Sequence, residues 1–124
     1  MASLDMGYSY DLTYGEIDRL VESGRIGNYA LGYLNERGIF IVRYVGRSDT
    51  DLRERIKHGI EDMFADNTCH FERFKYSYAN SAEEAYNKEC RNFHDFGGEE
   101  GFLVNKVHPD KPEGYKGYCP ICNK

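Results

Sequence analysis

The chain has no apolar run long enough to span a bilayer; the best is the short Ile39-Phe40-Ile41-Val42. Its start, Met1-Ala2-Ser3-Leu4-Asp5, has no basic region followed by an apolar stretch, so no signal peptide is visible and the expected location is the cytoplasm. Without a sign of secretion, disulfides are disfavoured for the four cysteines. Internal repeats and low-complexity segments are also missing. So is a net positive charge: 16 basic against 21 acidic residues give −5, which argues against a general nucleic-acid coat protein. The composition of a disordered chain is absent too, since aromatics reach 15% and both charge signs are mixed through the sequence. What is left is one globular domain, because 124 residues can bury a core without disulfides.

Charge is unevenly placed. Residues 1–27 carry −3, residues 28–58 carry +2 and residues 59–124 carry −4. Arg37, Arg43, Arg47, Arg53, Arg55 and Lys57 make the middle segment the basic one. The pattern fits either a mixed solvated surface or a local phosphate-facing patch on an acidic body.

Local signals predict the elements. Thr13-Tyr14-Gly15-Glu16 has capping-box spacing, and Ile17, Leu20 and Val21 follow at helical spacing, so a helix is expected near 14–23. Residues 28–34 and 39–47 are rich in aromatic and β-branched side chains around the turn-like Asn35-Glu36-Arg37-Gly38. They read as a β-hairpin. With Leu34 facing Ile39, Tyr29 falls directly opposite Tyr44, and Gly46 shares their face. Ser48-Asp49-Thr50-Asp51 offers N-cap residues, and Leu52, Ile56, Ile60 and Met63 mark a helix near 50–64. Arg55 lies at the rim of that apolar stripe. Residues 71–79 look like a third strand with Phe74, Tyr76 and Tyr78 on one face. Ser81-Ala82-Glu83-Glu84 is a second capping box, opening a helix near 82–95 whose buried stripe is Ala82, Ala85, Tyr86, Phe93 and Phe96. Glu89 occupies an inward position of that stripe. A lone carboxylate there is costly unless paired, protonated or bound to a cation. Phe102-Leu103-Val104-Asn105 suits a last short strand or buried loop, and the prolines and glycines beyond it make an irregular tail.

Two facing tyrosines, a small residue beside them, an arginine on the next helix and an inward glutamate on a later one form a constellation. Each has a bland alternative: cross-strand packing for the tyrosines, a solvated charge for the arginine, a buried pair with Arg55 for the glutamate. Together, and in this order, the residues resemble the GIY-YIG nucleases. Gly27-Asn28-Tyr29 resembles the first motif and Tyr44-Val45-Gly46 the second. The stretch from Arg47 to His58 resembles the family's first helix with its arginine. Ala85-Tyr86-Asn87-Lys88-Glu89 resembles the glutamate motif and Leu103-Val104-Asn105 the closing asparagine. The resemblance covers residues 27–108. It departs at Asn28, where the family carries isoleucine or valine, and in one apparent extra residue between Gly46 and Arg55, which makes Arg53 a rival for the arginine role. Asn92 and Glu84 are rivals for the asparagine and glutamate roles.

The resemblance implies hydrolysis of a DNA phosphodiester with one magnesium or manganese ion. On it, Glu89 holds the metal, Arg55 offsets charge on the phosphate, Tyr29 is the general base, Tyr44 orients phosphate or water, and Asn105 fixes nearby loop geometry. Gly46, Arg47, Arg53 and His58 are expected near the substrate. It also implies an α+β fold: a small antiparallel sheet of about three strands flanked by helices. Residues 1–26 are expected as an N-terminal helical extension, 27–108 as the nuclease-like domain and 109–124 as the tail. With no separate DNA-recognition segment in these residues, sequence specificity is expected to be weak or to come from a protein partner. A nuclease-like module that binds nucleic acid without cutting, and a zinc-stapled interaction domain, are the alternatives.

Cys119-Pro120-Ile121-Cys122 is half of a zinc site. Cys90 and His94, one turn apart on the predicted last helix, could complete it, with Cys69 and His70 as the competing pair and free or buried thiols as the plain alternative. Such a clamp would tie the tail to the helix that carries Glu89. A redox role is disfavoured, because no βαβ pattern surrounds the CxxC.

Overall fold

The computed structural model describes residues 4, 6–65, 71–96, 103, 109–115 and 117–121, with backbone alone at 63–65. Along these, the order is β1 (Tyr10–Asp11), α1 (Tyr14–Leu20), β2 (Gly27–Leu34), β3 (Phe40–Ser48), α2 (Leu52–Ala65), β4 (Arg73–Tyr78) and α3 (Ala82–Asp95). The fold is α+β. One antiparallel sheet of four strands runs in the order β1-β4-β2-β3, with three helices packed on it. The two-residue β1, which no alternating pattern announced, adds a short edge beside β4.

The capping signals act where expected. Thr13 Oγ1 accepts the Glu16 N–H at 3.2 Å and Ser81 Oγ accepts that of Glu84 at 3.1 Å, each satisfying a first-turn donor that the helix cannot pair. Asp51 opens α2, its Oδ1 accepting from Glu54 N at 3.4 Å, while Ser48 Oγ accepts from Asp51 N at 2.9 Å. Helix α1 ends at Leu20, short of Gly24; Val21 and Asp18 then offer carbonyls to the Arg53 guanidinium at 2.6 and 3.3 Å. A cation at a helix C-terminus meets orphan carbonyls and the negative end of the dipole.

Strand alternation sorts the sheet into two faces. Tyr29, Leu31 and Phe74 turn to α1 and α2, packing with Ile17, Val21, Leu52, Ile56 and Ile60. Residues 14–21, expected as an extension, thus contribute Ile17 and Val21 to the same core as β2. Ala30, Val42 and Val45 turn the other way, packing with Phe93 of α3 and with Leu4, Met6 and Leu103. Val42 and Val45 are three residues apart, so strict alternation would put them on opposite faces. A bulge resolves this: Leu31 pairs with Tyr44 but Gly32 with Val42, leaving Arg43 as the extra residue.

The turn shifts the expected register by one residue and the bulge by one more. Tyr29 lies opposite Gly46, not Tyr44, and Leu34 opposite Phe40, not Ile39. The two tyrosines still share a face, because the shift of two keeps parity.

Candidate active site

The hairpin places Tyr29 and Tyr44 diagonally, rings stacked with centroids 6.1 Å apart. Gly46 makes this possible. A Cβ on Gly46 would stand 2.5 Å from Tyr29 Cζ and Oη, closer than packed atoms allow. Gly27 has a similar reason: a Cβ there would lie 2.3 Å from the Ser77 carbonyl oxygen on β4. Both motif glycines are therefore close-approach positions.

Tyr29 is 1% exposed. Burial pushes its phenol well above the ordinary tyrosine value, Tyr44 and Glu89 push it further, and Arg55 opposes them. Tyr44 is the stacked neighbour that contributes to this rise. In this setting Tyr29 is a protonated phenol. Arg55, half-buried on α2, is held above its ordinary value first by Tyr29, then by Tyr44, Asp62 and Glu89, against its own burial. Among the described residues its guanidinium forms no ion pair within salt-bridge distance. It is a cation facing two phenols.

Glu89 is buried in the inward position of α3. Its partner is Arg47, not Arg55: Arg47 Nη1 donates to Glu89 Oε1 at 2.6 Å, and Arg47 Nε donates to Asp49 Oδ1 at 2.8 Å. Desolvation nevertheless leaves the Glu89 carboxyl above its usual range, with Arg47 and Arg55 pulling it down and Asp49 adding to the rise. Arg47 also lies over the Tyr86 ring, 5.2 Å from its centroid.

Alternation divides the constellation. Tyr29, Tyr44, Gly46 and Arg55 belong to the face of α2; Arg47 and Glu89 belong to the face of α3. The groups still feel one another, since Glu89 and Arg55 each shift the other and both act on Tyr29. Tyr44, Gly46 and Arg47 all lie on β3, which is an edge strand of the sheet.

The remaining residues separate. Arg53 is committed to the carbonyls at the end of α1. His58 is exposed on α2. Asn105, Cys122, Cys69 and His70 lie outside the described residues, as does the side chain of Met63. Among the described residues, no three His, Cys, Asp or Glu side chains converge to hold a metal ion. Cys90 and Cys119 do meet, buried with Tyr86 and flanked by Tyr115, so the tail packs on α3. Burial raises the Cys90 thiol to about 12.

Asn28 was noted in the sequence only as a departure from the family pattern. It is fully buried, and its Nδ2 donates to the Ala85 carbonyl at 2.8 Å, pinning β2 to α3 one turn before Glu89. An amide at a strand position whose neighbours are apolar was the available signal.

No protein-family model, no curated protein and no solved structure matches this chain.

Proposed function

We propose that this chain is a metal-dependent endonuclease of the GIY-YIG type, hydrolysing phosphodiester bonds in DNA and nicking one strand per site. The observation that supports this most is the buried Glu89 carboxylate within electrostatic range of both Arg55 and the Tyr29–Tyr44 pair. Four polar groups drawn from four separate elements, all of them partly or fully buried, are costly to assemble for packing alone.

A single inward carboxylate suits magnesium or manganese, which keeps several waters and takes one or two carboxylates together with phosphate oxygens. Glu89 would hold the ion. When bound, the ion supplies Lewis-acid polarisation of the phosphate and a more acidic water. Arg55, free of an ion pair to a described residue, offsets charge developing on the phosphate oxygens. Water attacks phosphorus, the new P–O bond forms, and the bond to the leaving oxygen breaks as that oxygen takes a proton from solvent. Because Tyr29 is held protonated, it relays: it takes the water's proton while passing its own to Tyr44, which releases one to solvent. Tyr44, less buried than Tyr29, is the solvent end of that pair.

One observation favours a second reading, a nuclease-like module that binds nucleic acid without cutting it. The 2.6 Å bond from Arg47 already satisfies Glu89 without a metal. Supercoiled plasmid with magnesium or manganese separates the two. Nicking by the native chain, lost in Glu89→Ala and strongly reduced in Tyr29→Phe, supports the enzyme. Salt-sensitive DNA binding with no nicks supports the binding module. Neither activity would leave the interaction domain.

A further inference from the structure

The basic segment, residues 28–58, holds the cations of a chain whose net charge is −5. The fold commits three of them. Arg47 pairs with Glu89 and Asp49, Arg53 donates to the Val21 and Asp18 carbonyls, and Lys57 pairs with Asp18 and Glu54. Arg47 and Arg53, expected at the substrate, are thus occupied elsewhere, and Arg55 faces the phenols. Arg37 and Arg43 are left, neither side chain making an ion pair or hydrogen bond to a described residue. Their settings differ. Arg37 is exposed in the hairpin turn beside Glu36, an ordinary solvated charge. Arg43 is half-buried, and its Nε is shut away from water without a hydrogen-bond partner, while its two Nη atoms are not shut away. It is also the extra residue of the bulge, next to Tyr44 on the edge strand β3. A bulge redirects a side chain, and a charge on an edge strand can deter pairing with another chain. Deterrence needs only a charge in water. It does not account for a stem packed so closely that one N–H is left unsatisfied.

We propose that Arg43 is a phosphate-binding residue, holding the DNA backbone next to the phosphodiester that Arg55 meets. The choice of DNA rests on the nuclease reading, whereas the contact itself needs binding and not cutting. Charge complementarity selects this partner. A body of net charge −5 repels a polyanion except where uncommitted cations stand beside the site. Arg43 adjoins Tyr44, whose ring stacks on Tyr29, and Tyr44 in turn acts on Arg55. With the stem and Nε packed, the Nη pair is presented in a settled orientation. Two phosphate oxygens can then accept from the guanidinium with little further ordering of the side chain, which strengthens binding. No bond is made or broken at Arg43. Its contribution is to position the backbone, so it carries no base preference.

The test is binding of the full chain to a short labelled DNA duplex, without divalent metal, over a series of salt concentrations. Each phosphate contact adds about 0.9 to the slope of log affinity against log salt. Arg43→Gln should lower the native slope by about that amount, and Arg43→Lys should restore it. Arg37→Gln removes the same charge from the same hairpin and should leave the slope unchanged. If Arg43→Gln does not fold, arginine-specific labelling of the native chain with phenylglyoxal replaces it: duplex should protect Arg43 and leave Arg37 reactive. A native slope in Arg43→Gln overturns the proposal. So does an equal loss in Arg37→Gln, labelling of Arg43 that duplex leaves unchanged, or no duplex binding by the native chain at low salt. Nicking with magnesium or manganese, scored on the same proteins, keeps the two readings apart. A slope lowered in Arg43→Gln supports the contact even where the native chain makes no nicks, and nicks with an unchanged slope defeat the contact alone.

Discussion

Gly46→Ala inserts one methyl group under the Tyr29 ring. The new Cβ would lie 2.5 Å from Cζ and Oη and 2.6 Å from Cε1. Ordinary contact needs about 3.4 Å or more, so either the ring or the strand must shift by close to an ångström. Tyr29 is 1% exposed and wedged among Ile17, Val21, Leu52 and Ile56, which leaves the ring nowhere to go without displacing them. Overpacking of this kind costs about 1–3 kcal/mol. Alanine also restricts the unfolded chain, an opposing gain of about 0.4–1 kcal/mol at a position without positive φ. The net expectation is a loss of about 1–2 kcal/mol, read as a lower urea midpoint at unchanged slope. A double-mutant cycle isolates the cause. In a Tyr29→Leu background the ring atoms are gone, and Gly46→Ala should become neutral or slightly stabilising, a coupling of about 1–3 kcal/mol. Tyr29→Phe should give no relief, because it keeps Cζ and Cε1. Equal cost of Gly46→Ala in the native and Tyr29→Leu backgrounds would refute the close-approach explanation of the second motif glycine.

Arg47→Met strands the Glu89 carboxylate in a buried site and should cost about 3–5 kcal/mol, with much of the loss recovered by adding Glu89→Leu. The pH dependence of stability carries a separate signature. Glu89 is raised above its ordinary 4.5 in the folded chain, so the protonated form is favoured on folding. Its contribution is complete below that value and is lost as pH rises through the folded one; Glu89→Gln should therefore flatten the fall in stability above pH 4.5, and an unchanged profile by thermal melts would contradict the assignment. Ser81→Ala and Thr13→Ala each remove an N-cap acceptor and should cost about 1 kcal/mol, additively, since they cap different helices. Arg53→Met should loosen the end of α1, with faster hydrogen exchange over residues 18–21 and little change in α3.

Much of the site was legible because its signals are local. Period two puts Tyr29 and Tyr44 on one face under any register of even shift, and period 3.6 turns Glu89 inward whatever lies opposite. The partners were not legible. Arg47 and Arg55 are both arginines on the basic segment, eight positions apart, and nothing in the spacing says which one reaches Glu89. The bulge at Arg43 and the alternation that follows it place Arg47 on the α3 side and leave Arg55 with the phenols. Arg53, equally plausible by spacing, is taken by carbonyls more than thirty residues earlier.

The amino-acid sequence by itself determined the helices, their caps and the inward carboxylate, since each follows from side chains within a turn or two of one another. Tertiary structure alone decided the two-residue β1, the shifted hairpin register, the Arg47–Glu89 pair and the meeting of Cys119 with Cys90. Those depend on chain segments from 6 residues apart in the hairpin to 64 between β1 and β4, whose pairing is selected by the packing of both sheet faces together.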